Sequence, residues 1–247
     1  MIDENWILTS ATCCKRDDIV TIKFNDYSIF YAENDEQAIT STIFHIHEDL
    51  DACLIRTVTD MSNIVDNVPC RSPNLDIGAF EGTKCWNPGW GSASMNEDWA
   101  TNLESIGVNL LDRITCQMRS YWSNLYEDEI CAVLAPTERT GINGYGYHVV
   151  AGGKETCNGD FGAPLLCDIN GVNTLVGVNS RGYDKCAKEG YPAIHLSLNS
   201  INGWIDDIIL NESGIIWAEW SKCDSNCKQT RKRTQYESEI RDCKGVC

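Results

Sequence analysis

The sequence is short of positive charge, of histidine and of long apolar runs. Lys and Arg number 20 against 36 Asp and Glu, a formal net charge of -16 with a sequence pI near 4.5. Such a surface repels phosphate backbones and anionic lipid, which excludes nucleic acid and acidic membrane surfaces as partners. Only four His occur, and none lies two to four positions from a Cys. Cys/His pairs at zinc-ligand spacing are therefore missing, and the Cys223, Cys227, Cys243, Cys247 set is the nearest approach to one. No metal and no cofactor is expected. No stretch approaches the roughly 18 apolar residues of a membrane span. The opening MIDENWILTS has no basic region and no apolar run of signal-peptide length. There is no longer internal repeat, no low-complexity tract and no βαβ rhythm.

What is present is cysteine, fourteen of them, spread along the whole chain. An even, widely spaced set in a globular chain predicts disulfides and an oxidising compartment. A disulfide-rich chain without an export signal suggests a fragment, or a gene model missing its front end. The sequon Asn211-Glu212-Ser213 adds a candidate glycosylation site and agrees with secretion. With 247 residues, 43% hydrophobic, the chain is long enough for one large domain and a small one attached.

Short apolar runs alternate with Gly, Asn, Asp and Pro. TIKF, YSIFYA, ACLIRTV, YHVVAGG, APLLCDI and NTLVGVNS have the length and β-branched content of strands joined by turns, which predicts an all-β sandwich or barrel. Residues 199–210 differ: Ile201, Trp204, Ile205, Ile208 and Ile209 line one face of a helix, with Asn199 or Ser200 placed to cap it. From Trp217 onward Lys/Arg outnumber Asp/Glu seven to five, whereas the preceding residues carry thirteen against thirty-one. The shift predicts two modules, 1–212 and 213–247.

CNGDFGAPLLC at 157–167 resembles the active-site loop of trypsin-like serine peptidases, C-x-G-D-S-G-G-P-L. WILTSATCC at 6–14 resembles W-V-L-T-A-A-H-C, and DACLI at 51–55 resembles D-I-A-L-L. CWNPGWG at 85–91, GVNSRG at 177–182 and YPAIH at 191–195 match further family segments, in the family's order over residues 6–210. The resemblance implies a chymotrypsin-like double β-barrel with a C-terminal helix. Here it is incomplete at its N-terminus, because the Ile-Val-Gly-Gly start and the strands preceding Trp6 are missing. That start normally supplies the ammonium that organises the Asp160 position.

In that family Ser attacks a peptide carbonyl, His takes the proton and Asp orients the His. Those positions here are Phe161, Thr12 and Asp51. Thr cannot act as a base near neutral pH, and a benzyl group cannot attack. The ring of Phe161 is expected to fill the space of the scissile carbonyl. Asp51 then has a structural role, accepting backbone N–H bonds. The oxyanion hole would use the amides of Gly159 and Phe161, which any residue supplies. The specificity pocket would be formed by Glu155, Ser180, Arg181, Gly182 and Ala193, with Arg181 reaching Glu155 to plug it. Ser180 and His148 read as ordinary strand or surface residues.

The resemblance also implies the disulfides Cys85–Cys167, Cys116–Cys131 and Cys157–Cys186. Cys14 and Cys53 flank the adjoining Thr12 and Asp51 positions and are candidates to bond to each other. Cys13 and Cys70 match cysteines whose partners lie upstream in the family.

The tail WAEWSKCDSNCKQTRKRTQY resembles a thrombospondin type-1 repeat, W-x-x-W-x-x-C, then C, then Q-T-R-x-R. Trp217 and Trp220 would layer with Arg231 and Arg233. Cys223–Cys243 and Cys227–Cys247 would keep two bonds where the family has three. The repeat implies adhesion to proteins or acidic glycans through Lys222, Lys228, Arg231, Lys232 and Arg233.

Three functional readings follow: a secreted, noncatalytic peptidase homologue that binds an extracellular protein or acidic glycan; an active serine endopeptidase using other groups; and a nonfunctional fragment. The joint loss of base and nucleophile favours the first.

Overall fold

The computed structural model describes residues 1–15, 18–65, 68–71, 83–91, 100–119, 125–134, 141–142, 148–149, 159–181, 192–212, 228–232 and 238–242. Its first compact unit is Met1–Asn202 and its second Gly203–Cys247.

The first half of the larger unit holds five strands in two sheets. Strands β1 (Trp6–Thr9), β4 (Ile43–Ile46) and β5 (Cys53–Arg56) run in the order β1-β5-β4, while β2 (Val20–Phe24) and β3 (Gln37–Ser41) pair with each other. Cys14, Cys53 and Ile55 form the buried centre, with Ile7, Val20, Ile22 and Phe44 packed on it. Among the described residues these sheets do not close into a ring.

The second half does close. Strands β8 (Glu104–Leu111), β7 (Lys84–Gly89), β12 (Pro164–Ile169), β13 (Val172–Arg181), β14 (Ala193–Ser197) and β9 (Glu129–Leu134) pair antiparallel in turn. The β8–β9 pairing completes the six-stranded barrel. Closure removes the free edges, and Ile106, Val108, Leu110, Ile130, Leu165 and Val176 fill its centre. Short strands β6 (Cys70–Arg71), β10 (Gly141–Ile142) and β11 (His148–Val149) add to this sheet.

Helix α3 spans Leu198–Glu212, with Ile201 and Ile205 fully buried. It starts one residue before Asn199, so neither Asn199 nor Ser200 caps it. Helix α1 (Ala11–Cys14) carries the Thr12 position. Helix α2 (Arg113–Arg119) was not legible, because Ile114 and Met118 face solvent and give it no core stripe. The smaller unit contains the antiparallel pair β15 (Lys228–Lys232) and β16 (Ser238–Asp242). Trp217, Trp220, Arg233 and the four tail cysteines lie outside the described residues, as do Glu155, Gly182, Cys157 and Cys186.

One predicted strand is a loop. YSIFYA, residues 27–32, connects β2 to β3 and is fastened across its width. Leu103 N–H and Trp90 Nε1 both donate to Tyr27 O at 2.7 and 3.0 Å, Ile29 N–H donates to Thr101 O at 3.1 Å, and Ser28 N–H donates to Glu33 at 2.9 Å. Phe30 and Tyr31 point into solvent, so the apolar run reflects exposure at a turn and not the core face of a strand.

Three disulfides lie among the described residues: Cys14–Cys53, Cys85–Cys167 and Cys116–Cys131. Cys13 and Cys70 are exposed thiols. No helix among the described residues is long and apolar enough to cross a membrane.

Candidate functional site

Thr12, Asp51 and Ser180 come from three separate segments and meet at one carboxylate. Helix α1 presents both the backbone N–H and the hydroxyl of Thr12 to Asp51 Oδ1, at 3.1 and 3.3 Å. Strand β13 presents the Ser180 hydroxyl, which donates to Asp51 Oδ2 at 2.9 Å. Both oxygens are therefore engaged, and the Cys14–Cys53 bond ties α1 to the strand that follows Asp51. Ser180 is not the ordinary strand residue expected from the sequence: it is a direct partner of Asp51. Strand alternation in β13 sends Ser180 to one side and Asn179 to the other, a pairing invisible without the tertiary fold.

The turn 159–163 faces this group. Gly159 and Gly162 have φ of +103° and +83°, and the turn is pinned by Gly162 N–H to Asn179 O at 2.8 Å and Ala163 N–H to Asp160 O at 3.0 Å. Among the described residues the Gly159 and Phe161 N–H groups donate to no protein acceptor. Asp160 is buried and accepts from Gly91 N–H at 2.9 Å. A Cβ at Gly89 or Gly91 would stand 2.1 or 2.2 Å from the Asp160 carboxylate oxygens, so the two glycines of CWNPGWG make its seat. Phe161 is 37% exposed. It lines an open cleft of about 330 Å³ with Thr9, Pro88, Trp90 and Leu103. The exposed Cys13 thiol donates to Phe161 O at 3.3 Å and accepts from the Ser10 hydroxyl at 3.3 Å.

Arg181 forms a two-pronged pair with Glu129, Nε and Nη2 each 2.5 Å from a carboxylate oxygen, and lies 5.4 Å from the Tyr126 ring centroid. The hydrogen bond to Glu129 raises its pKa above the usual guanidinium value. Glu129 and Tyr126 had no signal in the sequence as partners of this position. Ala193 is buried in β14.

Three of the four imidazoles have described surroundings. His45 packs against Trp6, with centroids 5.7 Å apart, and His47 accepts from the Asp49 and Leu50 N–H groups. His195 is fully buried in β14, and burial pushes its pKa down to about 3.

A second cluster was missed by sequence reasoning. Asp26, Glu33 and Glu36 bring carboxylate oxygens within 4.8 Å of one another. Lys23 supplies a cation there, its ammonium 2.8 Å from Glu36 and 3.3 Å from Asp26. These residues fall at the two ends of the loop misread as a strand, which hid their convergence.

The ordered barrel, the Asp51 cluster and the glycine-turned loop define a serine-peptidase-like frame. The Trypsin family model matches residues 1–205, and the chain belongs to that family. It is 30% identical over 218 residues to snake venom serine proteinase 4a of Crotalus adamanteus, covering 85% of this chain and 76% of that protein. Trypsin-10 of Gadus morhua is 27% identical over 214 residues, covering 84% and 78%. Kallikrein 1-related peptidase b1 of Mus musculus is 25% identical over 230 residues, covering 85% and 78%.

Proposed function

We propose that this trypsin-family chain does not hydrolyse peptides and acts as an extracellular binding or adhesion protein. The observation that carries the reading is the occupancy of Asp51. Where an orienting carboxylate would hold an imidazole, it accepts from the Thr12 amide, the Thr12 hydroxyl and the Ser180 hydroxyl. None of these groups takes up a proton near neutral pH. Phe161 stands at the nucleophile position and offers no heteroatom. The frame is retained while the proton-transfer groups are gone, which suits a scaffold kept for recognition. The disulfides fit an oxidising, extracellular setting.

The tail supports adhesion as the binding mode. Its β15–β16 pair carries Lys228, Arg231 and Lys232, and its sequence resembles a thrombospondin type-1 repeat. The partner class is a protein or an acidic glycan. On a sulfated-glycan column the full chain should be retained in a salt-sensitive manner, and Lys228→Ala with Lys232→Ala should shorten retention. Unchanged retention would remove the glycan from the reading.

One observation favours a catalytic alternative: the exposed Cys13 thiol 3.3 Å from Phe161 O, in the turn at the nucleophile position. A panel of peptide substrates incubated with the purified chain separates the two. No turnover is expected; turnover that disappears in Cys13→Ser would establish a thiol peptidase and overturn the binding reading.

A further inference from the structure

The stretch from Asn25 to Glu36 is set apart by its charge and its aromatic content. It carries Asp26, Glu33, Asp35 and Glu36 without a Lys or Arg, and the next Lys or Arg after Lys23 is Arg56. Lys23 offsets one of the four carboxylates, which leaves the stretch at -3. Tyr27, Phe30 and Tyr31 stand among these acids, 41%, 66% and 72% exposed. Single exposed rings are ordinary on a protein surface, but three within five residues concentrate apolar area that the core does not use.

The backbone beneath these rings is fastened. Ser28 is buried and pairs with Asn102 in an isolated bridge. Tyr31 N–H donates to Ser28 O at 3.3 Å, which closes a four-residue turn with Ile29 and Phe30 at its centre. Ser28 N–H donates to the Glu33 carboxylate at 2.9 Å, so a negative charge stands at the foot of the turn. The charge nearby is only partly compensated: Asp26 Oδ1, Glu33 Oε2 and Glu36 Oε2 have no hydrogen-bond partner among the described residues. Tyr27 O accepts from Leu103 N–H and Trp90 Nε1, and both of these residues line the cleft beside Phe161. The turn is thus ordered before anything binds, and a partner that docks on it has little backbone entropy to remove.

We propose that this aromatic turn is a docking site for an arginine-bearing segment of a partner protein. A guanidinium stacks on aromatic faces and donates to carboxylates, and the turn with its acidic flanks offers both. Charge decides among the occupants. An acidic segment or an anionic lipid surface is repelled by the -3 of this stretch and the -16 of the whole chain. A purely apolar segment would leave the surrounding carboxylates without a counter-charge. The basic tail has the opposite sign, so the two surfaces select different partners. The proposal is independent of the noncatalytic reading, since it uses none of Thr12, Asp51 or Phe161.

The test is fluorescence anisotropy of labelled hexa-arginine and its neutral isostere hexa-citrulline with the full chain. Salt is held at about 0.15 M, which screens the field of distant charges. Hexa-arginine should bind saturably and hexa-citrulline at least about tenfold more weakly. Phe30→Ser with Tyr31→Ser should weaken hexa-arginine about tenfold, the worth of two exposed cation–π contacts, with an unchanged circular dichroism spectrum. Ile114→Ser with Met118→Ser, which alters exposed apolar residues on α2, should leave the affinity unchanged. No binding of hexa-arginine, equal affinity for the two peptides, or equal affinity in the two double variants would overturn the proposal. Sedimentation with phosphatidylcholine vesicles should leave the chain in the supernatant. Co-sedimentation that Phe30→Ser with Tyr31→Ser abolishes would assign the turn to a lipid surface and overturn the proposal as well.

Discussion

Acidification should destabilise the closed barrel through His195 alone by an amount that can be isolated. Unfolded, this imidazole has its ordinary pKa of 6.5; folded, burial lowers it to about 3. The unfolded chain therefore binds a proton that the native chain refuses. Native stability is highest above pH 6.5 and falls with pH until the folded ring itself charges near 3. Each pH unit inside that window removes about 1.4 kcal/mol, so moving from about pH 7.5 to about pH 5 removes roughly 2 kcal/mol. Relief of repulsion in a chain of net charge -16 acts in the opposite direction. That contribution is common to wild type and to His195→Phe, which has no proton to bind. Urea unfolding followed by circular dichroism at both pH values supplies the comparison. The stability lost between them should be about 2 kcal/mol greater in wild type than in His195→Phe. An equal pH dependence in the two proteins would show that His195 is not held neutral in a dry wall.

Arg181→Ala should cost toward the lower end of the roughly 3–5 kcal/mol of a broken buried ion pair, because Glu129 is 8% exposed and Arg181 26%; a change in Tm near zero would refute the pairing. Gly162→Ala should be far worse than Gly171→Ala, both judged by denaturant midpoint. A Cβ at Gly162 meets Thr9 Oγ1 at 2.1 Å, whereas at Gly171 it meets nothing within 4 Å and only the positive φ is penalised. Removing the Cys14–Cys53 bond by paired Ala substitution frees a 39-residue separation and should cost roughly 4 kcal/mol in unfolding measurements.

Much of the frame was legible because it lies in short segments whose local chemistry is tied to position. The run from Pro164 to Ile169 is apolar because it lines the barrel, and the apolar stripe from Ile201 to Ile209 coincides with α3. The Gly-Asp turn before Phe161 is written in residues that permit positive φ. Thr12, Asp51 and Ser180 were each singled out in the sequence, but not the network that joins them. Ser180 carries no mark of its bond to Asp51, because that contact spans 129 residues. Arg181 meets Glu129 from 52 residues away, and nothing local distinguishes this partner from other acids. The 27–32 loop misled in the other direction: a run of aromatic and β-branched residues reads as a strand, yet its backbone bonds go to residues 101 and 103 and its rings to solvent. The contact of Asn87 Nδ2 with His195 Nε2 was hidden for the same reason, since β7 and β14 must assemble before these polar groups meet.

The most direct test of the noncatalytic reading is labelling of the purified full chain with a fluorophosphonate, beside an active trypsin and a Thr12→His, Phe161→Ser double variant. The account predicts a labelled trypsin, a labelled double variant and an unlabelled wild-type chain. Covalent labelling of the wild-type chain at a residue of the cleft would contradict it.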